Sequence, residues 1–307
     1  MMEVAGHPLI YWITRRLQSI GNVVLATTSE QSDDYMASYV GALGDVPVYR
    51  GSKNENDDVV SRINSALEKH CPDAEFVLRG LGDCPLMAHE VIQRSVRVLE
   101  ASEQHDSFAW ALPPWIWPVY GSREFPYRRN AWDLIYKEST EREHPDMFFH
   151  KNRDKFNTVF HEPPRNAYFR PYRLEVDWLE DMQLMREVAS GITLLAPIKT
   201  IIAHIDANES LQEINRMKVE QTGPTKYSHR EKIAWHISMR GKPIMGWDNN
   251  WWNVKDDSAE PIFCEGGTCL LGSAVGGEMY RRNGDIITGD AIFSCDCGAN
   301  RMWHKAK

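Results

Sequence analysis

The chain has no uninterrupted apolar run of the ~18 residues or more that a membrane helix needs, and this excludes an integral membrane protein of the helical kind. Its amino terminus has neither the basic stretch nor the apolar stretch of a secretory signal, so a cytoplasmic location is expected. Basic charge is not in excess either. Thirty-five Lys and Arg stand against 43 Asp and Glu, a formal net charge of −8. A general nucleic-acid binder carries a basic face, so that class is excluded. Cysteine is scarce, with six in 307 residues, and such a count suits free thiols or a metal better than a disulfide framework. No internal repeat is evident.

An apolar fraction of 42% is enough for a sizeable core, and the length suits one large domain or two. Leu9, Ile10, Ile13, Leu17 and Ile20 recur at helical spacing, and Gly21-Asn22 stops that helix. Val23–Ala26 reads as a buried strand, Asp33–Leu43 as a helix, Val46–Tyr49 as a strand and Asp57–Lys69 as a helix. Strands alternating with helices predict βαβ units and a doubly wound, mainly parallel sheet covered on both faces. From Phe108 to about Arg173 the pattern becomes irregular, crowded with Pro, Trp and charged residues.

The most telling stretch is Arg79-Gly80-Leu81-Gly82-Asp83-Cys84-Pro85-Leu86. It follows the β-rich run Glu75–Leu78 and precedes the amphipathic run Glu90–Val96, giving strand, tight turn, helix. Ligands of open α/β sheets sit outside the carboxyl ends of the strands, which is where Asp83 falls. Arg173-Leu174-Glu175-Val176-Asp177 reads as another strand, with Trp178–Asp181 opening a helix behind it. Asp83 and Asp177 would then share a hard cation. Mg²⁺ takes one or two protein carboxylates and completes its shell with water and substrate phosphates. The same residues also suit plain capping roles at turns and helix starts. Arg79 would pair with a phosphate, or with a neighbouring carboxylate. His144, after Arg142-Glu143, would bind an acceptor or serve as an ordinary hydrogen-bonded residue.

Taken in order, six segments carry a family resemblance. They are Ala5–Ile10, Val24–Thr28, Val48–Ser52, Asp58–Arg62, Gly82–Leu86 and Leu174–Asp177, with Arg142–Pro145, Ile205–Ser210 and Ile214–Arg216 in support. Over roughly residues 1–218 the chain resembles the cytidylyltransferases that activate acidic sugars as CMP-sugars, most closely their spore coat polysaccharide branch. The resemblance implies a nucleotidyltransferase-like, GT-A-like sheet, CTP and an acidic sugar as substrates, and Mg²⁺. It places Arg50, Ser52 and Arg62 near the nucleotide, and Arg79, Asp83 and Asp177 at the chemistry. The irregular middle segment would form the acceptor side of the cleft or a homodimer contact. The resembled enzymes open with a strand and a loop ending in Leu-Pro-Gly-Lys or similar, which cradles the triphosphate. Met1–Gly6 aligns with the segment after that loop, so weak CTP binding is expected of the chain as given.

Two other readings compete. A metal-dependent glycosyltransferase of related form wants an Asp-x-Asp pair at a strand end. Leu81 and Pro85 flank Asp83 at that spacing, and the nearest approach is Glu175-x-Asp177. A catalytically impaired homologue acting as a binding module would explain the absent loop.

Gln221–Thr225 reads as a linker, giving a domain over 1–225 and a small one over 226–307. The latter holds four of the six cysteines and five of the eleven tryptophans. Cys264, Cys269, Cys295 and Cys297 form two close pairs resembling a zinc ribbon in outline, with His304 as a spare ligand, and free thiols are the alternative. Glu278–Ile287 reads as a hairpin turning at Asn283-Gly284. Trp110, Trp115 and Trp117 among prolines, and Trp247, Trp251 and Trp252 beside Asn249-Asn250, suit a sugar-stacking wall or core and subunit contacts.

Overall fold

The computed structural model describes residues 2–110, 119, 121–122, 124–161, 170 and 172–218, and beyond them the backbone of eight short strands. The chain forms two compact units. The first comprises Met1–Phe108, Gly121–Thr158 and Leu174–Asn215; the second comprises Ala109–Tyr120, Val159–Arg173 and Arg216–Lys307.

The first unit opens with a hairpin of β1 (Glu3–Val4) and β2 (His7–Pro8), which leads straight into α1 (Leu9–Gln18). Helical spacing puts Trp12, Ile13 and Arg16 on the buried side of α1. β3 (Leu25–Thr27), α2 (Asp34–Ala42) and β4 (Val48–Arg50) then form a βαβ unit whose two strands pair in parallel, Leu25 opposite Val48. α3 (Val59–His70) begins at Asp58, whose side chain accepts from the Ser61 N–H at 2.7 Å and caps the helix. β5 (Phe76–Leu78) and α4 (His89–Glu100) follow.

Successive strand residues point to opposite faces, and β5 uses both. Val77 packs with Val60 of α3 and Trp132, while Leu78 packs against Ile13 of α1, Met87 and Ile92 of α4. Helices therefore cover β5 on both sides, as the alternating pattern predicted. Each fully buried large apolar side chain here contributes about 1.5–3 kcal/mol.

The parallel-sheet expectation needs correction. The irregular middle segment supplies β6 (Ser107–Trp110), β7 (Pro126–Arg128), α5 (Arg129–Glu138) and α6 (Pro145–Lys151). β7 lies antiparallel to β5, with Val77 opposite Tyr127, and antiparallel to β6, with Ser107 opposite Tyr127. The described pairings are thus mixed, because a strand from an insertion has entered beside β5. α7 (Leu179–Ser190), α8 (Ile198–Asp206) and α9 (Glu209–Ile214) complete this unit. The expected strand over Arg173–Asp177 is instead irregular, with a single bridge position at Arg173 and a bend at Asp177.

In the second unit, β8 (Thr158–His161) pairs in parallel with β9 (Pro243–Met245), which pairs antiparallel with β10 (Trp251–Asn253). β11 (Glu260–Phe263), β12 (Leu270–Val275), β13 (Glu278–Arg281) and β14 (Ile286–Ile287) form an antiparallel meander. Met279 opposes Ile287 and Tyr280 opposes Ile286, one residue out of the register that a two-residue Asn283-Gly284 turn gives. β15 (Ala291–Phe293) and β16 (Arg301–Trp303) form a further antiparallel pair. Among the described residues, no helix is long and apolar enough to cross a membrane.

Candidate active site

The turn after β5 is built to hold Asp83 still. Cys84 N–H donates to Leu81 O at 3.1 Å and Met87 N–H to Cys84 O at 3.3 Å. Gly80 lies so close to α1 that a Cβ there would meet Leu17 Cδ1 at 2.4 Å, so any larger residue would have to push the Leu17 side chain aside. Arg16, fully buried on α1, donates to Met87 O at 2.9 Å, Leu194 O at 2.7 Å and Ala196 O at 3.0 Å. One guanidinium thus fixes the end of the Asp83 turn to the segment that leads into α8.

The segment before α7 reaches that turn through its backbone. Val176 N–H donates to Asp83 O at 2.8 Å. This single bond brings Glu175 beside Asp83. Ligand atoms of Asp83, Cys84 and Glu175 all lie within 4.8 Å of one another. The Cys84 thiol is buried, 3.5 Å from Asp83 Oδ1. Burial, then the charges of Asp83, Glu124 and Glu175, push its pKa far up, so it stays a neutral thiol. The ionic donors here are therefore two carboxylates, hard oxygen ligands of the kind Mg²⁺ takes.

Of the two carboxylates expected to converge, Asp83 does so with Glu175 as its neighbour, and Asp177 is not among these three groups. Asp177 is exposed, and its backbone N–H donates to Asp181 Oδ2 at 3.1 Å. Asp181 is itself buried and also receives Trp178 N–H at 3.2 Å and Asn215 Nδ2 at 2.8 Å, so it closes the start of α7. The signal for Glu175 was present in the Glu-x-Asp spacing. In an extended chain, residues two apart share a side. Here the turn into α7 begins at Asp177 and takes it out of line.

Arg79 lies 3.9 Å from Asp146 of α6, which also accepts from the Tyr127 hydroxyl at 2.8 Å. Ser52 and Arg62 contact the turn Lys53–Glu55 that follows β4, and Arg50 ends β4. Arg50 donates to Thr28 O, Glu30 O and Asp34 Oδ1 at 2.6, 2.9 and 2.8 Å. Arg62 donates to Glu55 O at 2.6 Å and Asn56 O at 2.9 Å, and Ser52 N–H donates to Glu55 Oε2 at 2.7 Å. Much of the Arg50 guanidinium therefore serves the segment after β3, and much of that of Arg62 the turn after β4. Burial lowers the Arg62 pKa; Asp33 and Glu55 oppose that, and the Arg79 charge adds to it, so the two arginines feel each other.

Arg142 is structural. Its Nε sits 3.0 and 3.1 Å from the two Asp58 oxygens, and Nη2 donates to Ser61 Oγ at 2.8 Å. His144 is exposed at the start of α6, 3.9 Å from Glu143. Cys264, Cys269, Cys295, Cys297 and His304 lie outside the described residues, as do the side chains of the two tryptophan clusters.

The comparisons with known proteins agree with this reading of the domain. A family model described as cytidylyltransferase matches residues 1–233. A cytidylyltransferase from Leptospira borgpetersenii serovar Hardjo-bovis (strain JB197) superposes with a TM-score of 0.60 at 21% identity, over 68% of this chain and 87% of that one. At that identity it shows the fold. A CMP:2-keto-3-deoxy-manno-octonic acid synthetase complexed with CTP aligns with a TM-score of 0.46 at 13% identity, over 62% of this chain and 90% of that one, too slight a likeness to build on. No curated protein matches the chain significantly. With the family pattern running over residues 1–233, the chain belongs to the cytidylyltransferase family.

Proposed function

We propose that this chain transfers CMP from CTP to a hydroxyl of an acidic sugar and releases pyrophosphate, as the spore coat polysaccharide type of cytidylyltransferase would. The observation that carries this reading is the Asp83–Glu175 carboxylate pair beyond β5, inside the family-matched region. The sugar oxygen forms its bond to the α-phosphorus as the bond to the bridging oxygen breaks, and the hydroxyl proton passes to solvent or a nearby base. Such a reaction needs position and charge neutralisation above all.

Asp83 and Glu175 would hold Mg²⁺, with Asp177 at the rim of the same edge. The cation would supply charge neutralisation on the phosphates. Arg79 and Arg62 lie near enough for their charges to act on each other, and Asp146 sets the direction of Arg79. Arg50 and Ser52 would shape the nucleotide loop through backbone groups more than through free side-chain charge. We place a structural Zn²⁺ on Cys264, Cys269, Cys295 and Cys297 of the tail.

The test is pyrophosphate release from CTP, compared with the other nucleoside triphosphates, across a panel of acidic and neutral sugars with and without Mg²⁺. Asp83→Asn should lower kcat at least about a hundredfold, the scale of losing one electrostatic stabiliser. Turnover with neutral sugars only, or full activity of Asp83→Asn, would overturn the reading.

A further inference from the structure

We propose that Gly121 is a positioning residue that sets Glu175 against Asp83. The inference rests on the proposed role of these two carboxylates in holding a cation. Gly121 has φ +78°, a conformation that side chains of L-residues adopt reluctantly. Backbone freedom is the lesser part of its role. A Cβ at this position would stand 2.6 Å from Glu175 N, 2.9 Å from Glu175 Cβ and 2.9 Å from Leu174 C. Two of those atoms are main chain and cannot swing aside. For ordinary contact at 3.4 Å, the Glu175 backbone would have to recede by about 0.8 Å.

That displacement has no slack to absorb it. The residue after Gly121, Ser122, accepts from Ala88 N–H at 2.8 Å, at the start of α4. The residue after Glu175, Val176, donates to Asp83 O at 2.8 Å. Residues 83–88, 121–122 and 174–176 thus interlock, each bound to the next. Pushing the Leu174–Glu175 backbone breaks the bond to Asp83 or carries Glu175 away from it. Bonds to Mg²⁺ run about 2.0–2.1 Å in near-ideal geometry, and a sound metal site keeps its distances within about 0.2 Å. A shift of this size exceeds that tolerance several-fold.

Gly44 provides the control. It has φ +77°, and nothing lies within 4 Å of a Cβ built there. Gly44→Ala carries the same backbone strain without the collision. The experiment titrates Mn²⁺ as a probe cation into the full chain, following free Mn²⁺ by electron paramagnetic resonance. It compares the parent, Gly121→Ala, Gly44→Ala and Glu175→Gln, with circular dichroism confirming the fold of each. We expect Gly121→Ala and Glu175→Gln to weaken Mn²⁺ binding at least about tenfold, and Gly44→Ala to stay within about twofold of the parent. Equal weakening by both glycine variants would reduce Gly121 to backbone strain and overturn the proposal. So would parent-like binding by Gly121→Ala, or its failure to fold where Gly44→Ala folds. If Glu175→Gln binds Mn²⁺ as the parent does, the cation reading itself fails.

Discussion

Replacing Arg16 with Met removes the guanidinium that ties three segments together, and keeps a long apolar side chain in its place. Arg16 has no exposed surface, and its three donated bonds end on Met87 O, Leu194 O and Ala196 O. A buried polar group left without its partner costs about 1–3 kcal/mol, so the Met87 and Ala196 carbonyls cost about 4 kcal/mol at the middle of that range, and the half-buried Leu194 carbonyl about 1 kcal/mol more. Against this stands the relief of no longer burying a cation. Burial pulls the Arg16 pKa down to about 10 despite the Glu90 charge, which corresponds to about 3 kcal/mol. The net loss should be about 2 kcal/mol. Arg16→Lys should do nearly as badly, since a single ammonium cannot reach three diverging carbonyls. Urea unfolding at neutral pH, followed by tryptophan fluorescence, reads the difference. A second readout comes from His89, whose imidazole is held at about 4 by burial and then by the Arg16 charge. Without Arg16 that value should rise. If Arg16→Met unfolds within about 0.5 kcal/mol of the parent, the carbonyls have found other partners and the clamp is not one.

The imidazole of His89 also predicts a pH dependence. Glu90 Oε2 lies 3.4 Å from its Nδ1, yet Glu90 already accepts from Ile198 N–H at 2.7 Å and faces Arg16, so burial prevails and the ring stays neutral. The folded value of about 4 lies below the ordinary 6.5, so below pH 6.5 the unfolded chain takes up a proton that the folded chain does not. The stability is complete above pH 6.5 and should fall by up to about 1.4 kcal/mol per pH unit towards pH 4. His89→Gln should flatten that slope between pH 6.5 and 5 in parallel denaturation curves. Asp58→Ala should cost about 2 kcal/mol in urea unfolding, because it removes the cap of α3 and the carboxylate that faces Arg142 Nε; an effect under about 0.5 kcal/mol would show that neither contact matters. Purified protein should carry one equivalent of zinc by elemental analysis, and less than half an equivalent would leave the tail cysteines as free thiols.

The helices were legible because apolar periodicity is a local signal. Ile13 and Leu17 announce α1, Val60 and Ile63 lie on α3, and Val91 and Ile92 on α4, and all are found where the spacing places them. The βαβ unit of β3, α2 and β4 was legible for the same reason. The antiparallel neighbour of β5 was not, since Pro126–Arg128 is three residues long and owes its place to a partner some fifty residues earlier. At the site, Asp83 was readable from its turn. Glu175 needed a tertiary fact, namely that Val176, not a neighbour in a ladder of strands, carries the bond to Asp83. Asp181 and Asn215 were visible as polar residues in suggestive motifs, but their mutual bond across 34 positions assigns them to closing α7.

The hydrogen bond from Val176 to Asp83 spans 93 residues of chain. Closing a flexible loop of that size costs about 4 kcal/mol in entropy at the outset, before any contact repays it. During synthesis, Asp83 therefore leaves the ribosome long before its partner exists. The turn, α1 and α4 can pack early, since their contacts are nearer in sequence, but the acidic pair forms only once the stretch into α7 has emerged and docked. A nascent chain halted before residue 174 would lack Glu175, and with it Leu194 and Ala196, whose carbonyls hold Arg16. The cation site proposed above would thus be completed late, when the stretch into α7 docks against the Asp83 turn.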